Sequence, residues 1–129
     1  MKKTGSMRTL SRIFKALSDE TRLAIMALVL QHGHLCVCEV EQILGITQSK
    51  ASRHLRYLRD AGLLEDRRDG LIVNYHLPEE ADPDRHAIRE FLEEFLDDRS
   101  LPQAGPLLVQ IRDARLRGDP ASSVEAMVQ

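Results

Sequence analysis

The chain has 129 residues, 43% hydrophobic and 29% charged, with a net charge of −2, which is the balance of one soluble globular domain. Near-neutral charge excludes a uniformly basic nucleic-acid coat, and no apolar run reaches the roughly 18 residues that a membrane-spanning helix needs. With 4% aromatics and no Trp, the core falls to Leu, Ile, Val and Ala, which favours helices over a β-sandwich.

Gly5-Ser6-Met7 reads as a cloning scar ahead of a start at Met7. Residues 1–7 are therefore set aside, one domain is expected over 8–117, and 118–129 reads as a mobile C-terminal tail. Leu10, Ile13, Phe14 and Leu17 recur at helical spacing and predict a first helix. Ser18 is the expected N-cap of a second, with Asp19 and Glu20 favourable in its first turn. Leu23, Ile25, Met26, Leu28, Val29 and Leu30 make that helix apolar on most sides, hence central, and Gly33 ends it. A third helix is expected from about Leu35 to Leu44, stopped by Gly45. A fourth, capped by Thr47 or Gln48, runs to about Asp60 with Ala51, Leu55 and Leu58 facing inward. Two short helices joined by a tight glycine turn make a helix-turn-helix.

Asp69-Gly70 lies between the β-prone runs Leu63–Arg67 and Leu71–Leu77 and predicts a hairpin. A hairpin directly after a reading helix is a wing. Asp82-Pro83 opens a further helix, cap first and Pro at the first position. Its Ile88, Phe91, Leu92, Phe95 and Leu96 form an apolar stripe opposite an acidic face. Beyond Pro102 and Pro106, the residues Leu107, Leu108, Ile111 and Leu116 predict a last helix. The fold class is thus mainly α with a β-hairpin wing, a winged helix-turn-helix.

Charge is unevenly distributed. Lys50, Arg53, Arg56, Arg59, Arg67 and Arg68 crowd one stretch, whereas residues 79–98 are strongly acidic. A helix in the major groove reads bases with side chains near its N-terminus, here Gln48, Ser49, Lys50, Ser52, Arg53 and His54. Arg56 and Arg59 lie further along, towards phosphates, and Arg67 and Arg68 precede the wing tip, within reach of backbone or minor groove. A plain solvated face would explain any one of these residues, but not the whole arrangement. Tyr57 and Tyr75 read as packing residues.

The two cysteines, Cys36 and Cys38, precede the reader. No leader segment is evident, so a cytoplasmic location is expected, where thiols stay reduced and suit metal binding or redox chemistry better than a disulfide. In a regular helix, residues two apart point about 200° from each other. Gripping one soft ion with both thiolates is therefore expected to distort the third helix and so move the fourth. His32 and His34 extend the alternation, and with the cysteines would suit tetrahedral Zn(II) or Cd(II). The simpler reading makes both histidines local polar residues.

Leu35-Cys36-Val37-Cys38-Glu39-Val40, Gln48-Ser49-Lys50-Ala51-Ser52-Arg53-His54-Leu55 and Ala61-Gly62-Leu63-Leu64 together resemble the ArsR/SmtB family of metal-responsive repressors. Ala16-Leu17-Ser18-Asp19-Glu20-Thr21-Arg22-Leu23 resembles that family's N-terminal signature, and the likeness covers about residues 8–80. The Cys-Val-Cys element resembles the arsenic-sensing branch. The resemblance implies a homodimer through the terminal helices, seated on double-stranded operator DNA with an inverted repeat. It implies release when As(III) or Sb(III) binds Cys36 and Cys38. A third cysteine often follows three residues after the second in that branch, where this chain has Glu41. Asp84 and His86 resemble half of a second zinc site of the family. Asp97 and Ser100 stand where its other half would be, so the pair reads as surface. Zn(II), Cd(II) or thiol oxidation as the signal, and a winged helix kept as a protein-interaction module, are the alternatives. No nucleophile–base pair, phosphate loop or carboxylate pair suggests an enzyme.

Overall fold

The computed structural model describes residues 6–79, 82–97 and 101–118. In chain order the elements are α1 (Met7–Leu17), α2 (Glu20–His32), β1 (His34–Cys36), α3 (Val37–Leu44), α4 (Gln48–Asp60), β2 (Glu65–Asp69), β3 (Ile72–His76), α5 (Pro83–Phe95) and α6 (Ala104–Leu116). This is a winged helix-turn-helix, mainly helical with one small antiparallel sheet in the order β1-β3-β2.

Capping side chains set the helix starts. The Ser6 hydroxyl accepts from the Thr9 amide at 3.1 Å, so α1 begins inside the stretch set aside as a start remnant. Asp19, not Ser18, caps α2, accepting from the Arg22 amide at 3.0 Å. Ser18 instead closes α1, its hydroxyl donating to the Lys15 carbonyl at 3.0 Å, so it has no free role at the next helix. Thr47 caps α4 and Asp82 caps α5, with Pro83 at the first helical position.

The third helix is shorter than its sequence predicts. Gly33 turns the chain at φ 92°, and residues 34–36 then run extended as β1, paired with β3 through Leu35↔Tyr75 and Cys36↔Asn74. Leu35 is fully buried against the core, a position it can fill equally from a helix or a strand. Three residues are too few for a period to be read. The start of α3 therefore falls at Val37, and Cys36 is its extended N-cap, at φ −103° and ψ 166°.

The hairpin forms as expected, but Arg68 and Asp69 are paired strand residues opposite Val73 and Ile72. The tip lies at Gly70 (φ 68°) and Leu71. The core centres on α2, whose Ile25 to Val29 are all buried and which touches α1, α4, α5, α6 and β1. Ala51, Leu55 and Leu58 anchor α4 beneath it. Two helices divide their apolar residues between two faces. In α1, Ile13 and Ala16 are buried while Phe14 is 56% exposed; in α5, Leu92 is buried while Phe91 and Phe95, stacked at 5.7 Å, are 59% and 71% exposed. The last helix, α6, admits Pro106 because it sits in the first turn, and it lies along α3 with Leu108 and Ile111 buried. Residues 119–129, most of the expected tail, lie outside the described residues.

Candidate nucleic-acid interface and thiol pair

The N-terminal half of α4 stands out from the body. Gln48, Ser49, Lys50 and Arg53 are exposed, Ser52 is half-buried, and Arg56 is exposed with its Nε 3.4 Å from the Ser52 carbonyl. Arg67 and Arg68 are exposed on β2. This places five unburied cations, Lys50, Arg53, Arg56, Arg67 and Arg68, on the helix and wing that follow one another in the chain. Arg59 differs. It is held by Asp66 at 3.0 Å and Asp60 at 3.1 Å, tying α4 to the wing, so its charge is already answered and it is a poor phosphate contact.

His54 is half-buried and turned towards α2. Its Nδ1 lies 3.2 Å from Arg22 Nη1 and 3.9 Å from Asp19. Burial lowers its pKa, the charges of Arg22, Arg53 and Lys50 add to that, and Asp19 opposes it. Arg22 is a junction: its Nε donates to the Ala16 carbonyl at 2.6 Å, its Nη2 to the Lys15 carbonyl at 3.1 Å, and its guanidinium sits 4.2 Å above the Tyr57 ring. Tyr57 meets α2 through Arg22 but is 44% exposed, so it is less a packing residue than expected, whereas Tyr75 is buried in the sheet.

Cys36 is extended and Cys38 lies in the first helical turn, so the 200° divergence of a regular helix does not apply to the pair, and each thiol shifts the other's pKa. The expectation that both cysteines lie within one regular helix is thereby corrected: Cys36 precedes α3 and Cys38 is inside it. The neighbouring Cys36 thiol brings Cys38 down to about 7, with the Arg115 charge helping and burial and Glu41 opposing. The neighbouring Cys38 thiol, burial and the Glu39 charge push Cys36 up. The lowering at Cys38 favours thiolate, the form that bonds soft ions.

Beneath the pair lies an ion network that the sequence reading missed. Glu39 is the one buried charged residue among those described, 1% exposed. Its Oε1 accepts from the Cys36 amide at 3.0 Å, as in a capping box with Cys in place of Ser. Arg112 of α6 donates to both carboxylate oxygens at 2.8 and 3.2 Å and to the His34 carbonyl at 2.7 Å; Arg115 approaches at 3.3 Å. Burial alone would raise the Glu39 pKa, but the bonds from Arg112 and the Cys36 amide win and hold it low. The spacing Cys36-x-x-Glu39 was the available signal.

The histidines go elsewhere. His32 faces Gly105 of α6, 3.3 Å from where a Cβ would stand there. His34 is exposed at the sheet edge opposite His76. His86 pairs with Glu90 at 2.8 Å. Among the described residues no three His, Cys, Asp or Glu side chains are placed to hold an ion, and no helix is long and apolar enough to cross a membrane. Ser100 lies outside the described residues.

The model of the family described as bacterial regulatory protein, arsR family, matches residues 19–66, from the α2 cap into the wing. An arsenical resistance operon repressor of Bacillus subtilis (strain 168) is 41% identical over 78 residues, which cover 60% of this chain and 74% of that protein. The chain belongs to the ArsR family. A cadmium resistance transcriptional regulatory protein CadC homolog of Staphylococcus aureus is 41% identical over 70 residues, covering 54% of this ArsR-family chain and 58% of that protein. The ArsR-family chain spans only 51–56% of the length of the curated relatives that match it at 49–51% identity. Among solved structures, a homodimeric winged helix-turn-helix DNA-binding domain from Mycobacterium bovis matches with a TM-score of 0.58 at 26% identity, over 76% of this chain and 92% of that one.

Proposed function

We propose that this ArsR-family protein is a homodimeric repressor that binds an inverted-repeat operator and leaves it when As(III) or Sb(III) binds the thiolates of Cys36 and Cys38. The observation that carries the reading is the placement of the two cysteines, Cys36 as the extended N-cap and Cys38 in the first turn, at the start of the helix packed on the reader. Relatives named for arsenical resistance support the choice of ion. In DNA, α4 lies in the major groove with Gln48, Ser49, Lys50, Ser52 and Arg53 at base edges. His54 supports them from the α2 side, Arg56 meets a phosphate, and Arg67 and Arg68 hold the flanking backbone. The bare aromatic faces of α1 and α5, with Phe14, Phe91 and Phe95, supply the dimer interface.

Release follows from placement. An ion on both sulfurs engages the Cys36 side chain and resets the N-cap of α3. The Glu39 network and the α3–α4 packing carry that change to the reader. By linkage, DNA must weaken inducer binding by the same factor. Fluorescence anisotropy on operator DNA tests this: arsenite should release the wild type but not Cys36→Ser or Cys38→Ser, and wild-type binding that persists in excess arsenite refutes it. A second reading, Cd(II) at the same thiolates, draws on the cadmium-resistance relative; an ion competition series separates the two.

A further inference from the structure

Among the described residues, three buried side-chain nitrogen or oxygen atoms have no hydrogen-bond partner: Glu41 Oε2, Arg115 Nε and Arg115 Nη2. They belong to the two helices, α3 and α6, that pack together beside the thiol pair. Glu41 is three residues after Cys38 on α3, hence on the same helix face. Arg115 reaches over from α6 and is fixed by its Nη1, 3.3 Å from Glu39, the residue that caps Cys36. Both charges act on the Cys38 thiol. A buried polar atom left unpaired is costly, and native proteins seldom tolerate it without a use. Here two donors and one acceptor stand unpaired beside the thiol pair.

Resting on the inducer reading above, we propose that Arg115 and Glu41 form an oxygen pocket for the hydroxyl that trivalent arsenic or antimony keeps after the two thiolates have bound it. The chemistry is a ligand exchange. Arsenous acid has three hydroxyls. Two As–S bonds form and two As–O bonds break; the two hydroxyls leave as water, taking the Cys36 thiol proton and a second proton from Cys38 or, where Cys38 is already thiolate, from solvent, and arsenic stays trivalent throughout. One hydroxyl remains, because the chain has no third cysteine. A hydroxyl both accepts and donates, so it answers Arg115 and Glu41 together. A Glu41 oxygen bonded directly to the ion would leave both arginine nitrogens unanswered.

The pocket makes the site selective for inorganic arsenite. In phenylarsonous acid the same exchange consumes both hydroxyls and leaves a carbon at the third position, facing three polar atoms that it cannot satisfy. Sites built to bond a hydroxyl discriminate strongly against analogues that lack it.

The test measures direct binding of arsenite and of phenylarsonous acid to the full chain by sulfur-to-arsenic absorption, without DNA, for the wild type, Glu41→Leu and Arg115→Lys. The lysine keeps a positive charge for Glu39, and operator binding in the absence of arsenic checks that each variant is folded. Arsenite affinity should fall by about tenfold or more in each variant, the scale of one lost charge-assisted hydrogen bond. Affinity for phenylarsonous acid should hold or rise. Equal losses for both compounds, or no loss for arsenite, overturn the pocket while leaving the thiol reading intact. A wild-type chain that binds neither compound overturns both.

Discussion

Replacing Arg112 by Met removes the guanidinium but keeps most of the aliphatic stem, which isolates the buried ion network. The lost contacts are two bonds to the Glu39 carboxylate, at 2.8 and 3.2 Å, and one to the His34 carbonyl at 2.7 Å. Glu39 is 1% exposed, so it cannot turn to water. Removing one partner of a buried ion pair costs about 3–5 kcal/mol. Two facts reduce that figure: the Arg112 side chain is 26% exposed, and Arg115 and the Cys36 amide remain on the carboxylate. A loss of about 2–3 kcal/mol follows, which is roughly 10 °C in melting temperature for a domain of this size. Urea melts followed by circular dichroism at fixed protomer concentration measure it, since the proposed dimerisation would shift apparent stability. The matching control is Arg89→Ala, which breaks the exposed Arg89–Glu93 pair one helical turn apart and should cost under about 0.5 kcal/mol. If Arg112→Met costs no more than Arg89→Ala, the network is not structural and the reasoning fails.

The same network gives a pH signature. The Glu39 pKa is held below its ordinary 4.5, so its stabilisation is complete above that pH and is lost as pH falls through the folded-state value; acid unfolding of Arg112→Met should begin at higher pH than in the wild type. At the reader, Arg53→Ala should cost about 1–3 kcal/mol of operator affinity and relax sequence preference, measured by anisotropy against mutated half-sites. Arg67→Ala and Arg68→Ala should each weaken all sequences alike and flatten the salt dependence by about one phosphate contact; unchanged salt slopes would remove the wing from the DNA. Replacing Phe91 and Phe95 together by Glu should yield monomers in sedimentation and abolish operator binding at low protein concentration, and a dimer that survives places the interface elsewhere.

Most of this architecture was legible because long periodic segments announce themselves. The apolar residues from Leu23 to Leu30 mark α2 as central, Asp69-Gly70 marks the hairpin, and Asp82-Pro83 marks the start of α5. The thiol geometry was hidden by three residues. Leu35 fits a helix or a strand equally well, and only its pairing with Tyr75, 40 residues away in sequence, makes it a strand. That pairing moves the helix start past Cys36, so the two cysteines no longer share one regular helix. The Glu39–Arg112 pair was equally invisible, since 73 residues separate its members. Local spacing could suggest that Glu39 caps a helix, but no local rule finds its arginine. Arg59 shows the converse: a basic residue in a basic run, yet neutralised by Asp66 on the wing.

Arg22 has a consequence for operator choice. One guanidinium grips the last carbonyls of α1, lies on Tyr57 of α4 and touches His54. If the proposed dimer is built on α1, this side chain joins the core packing of α1, α2 and α4 in holding each reading head to the symmetry axis. Shortening it should then blur the preferred operator spacing before it weakens the grip on either half.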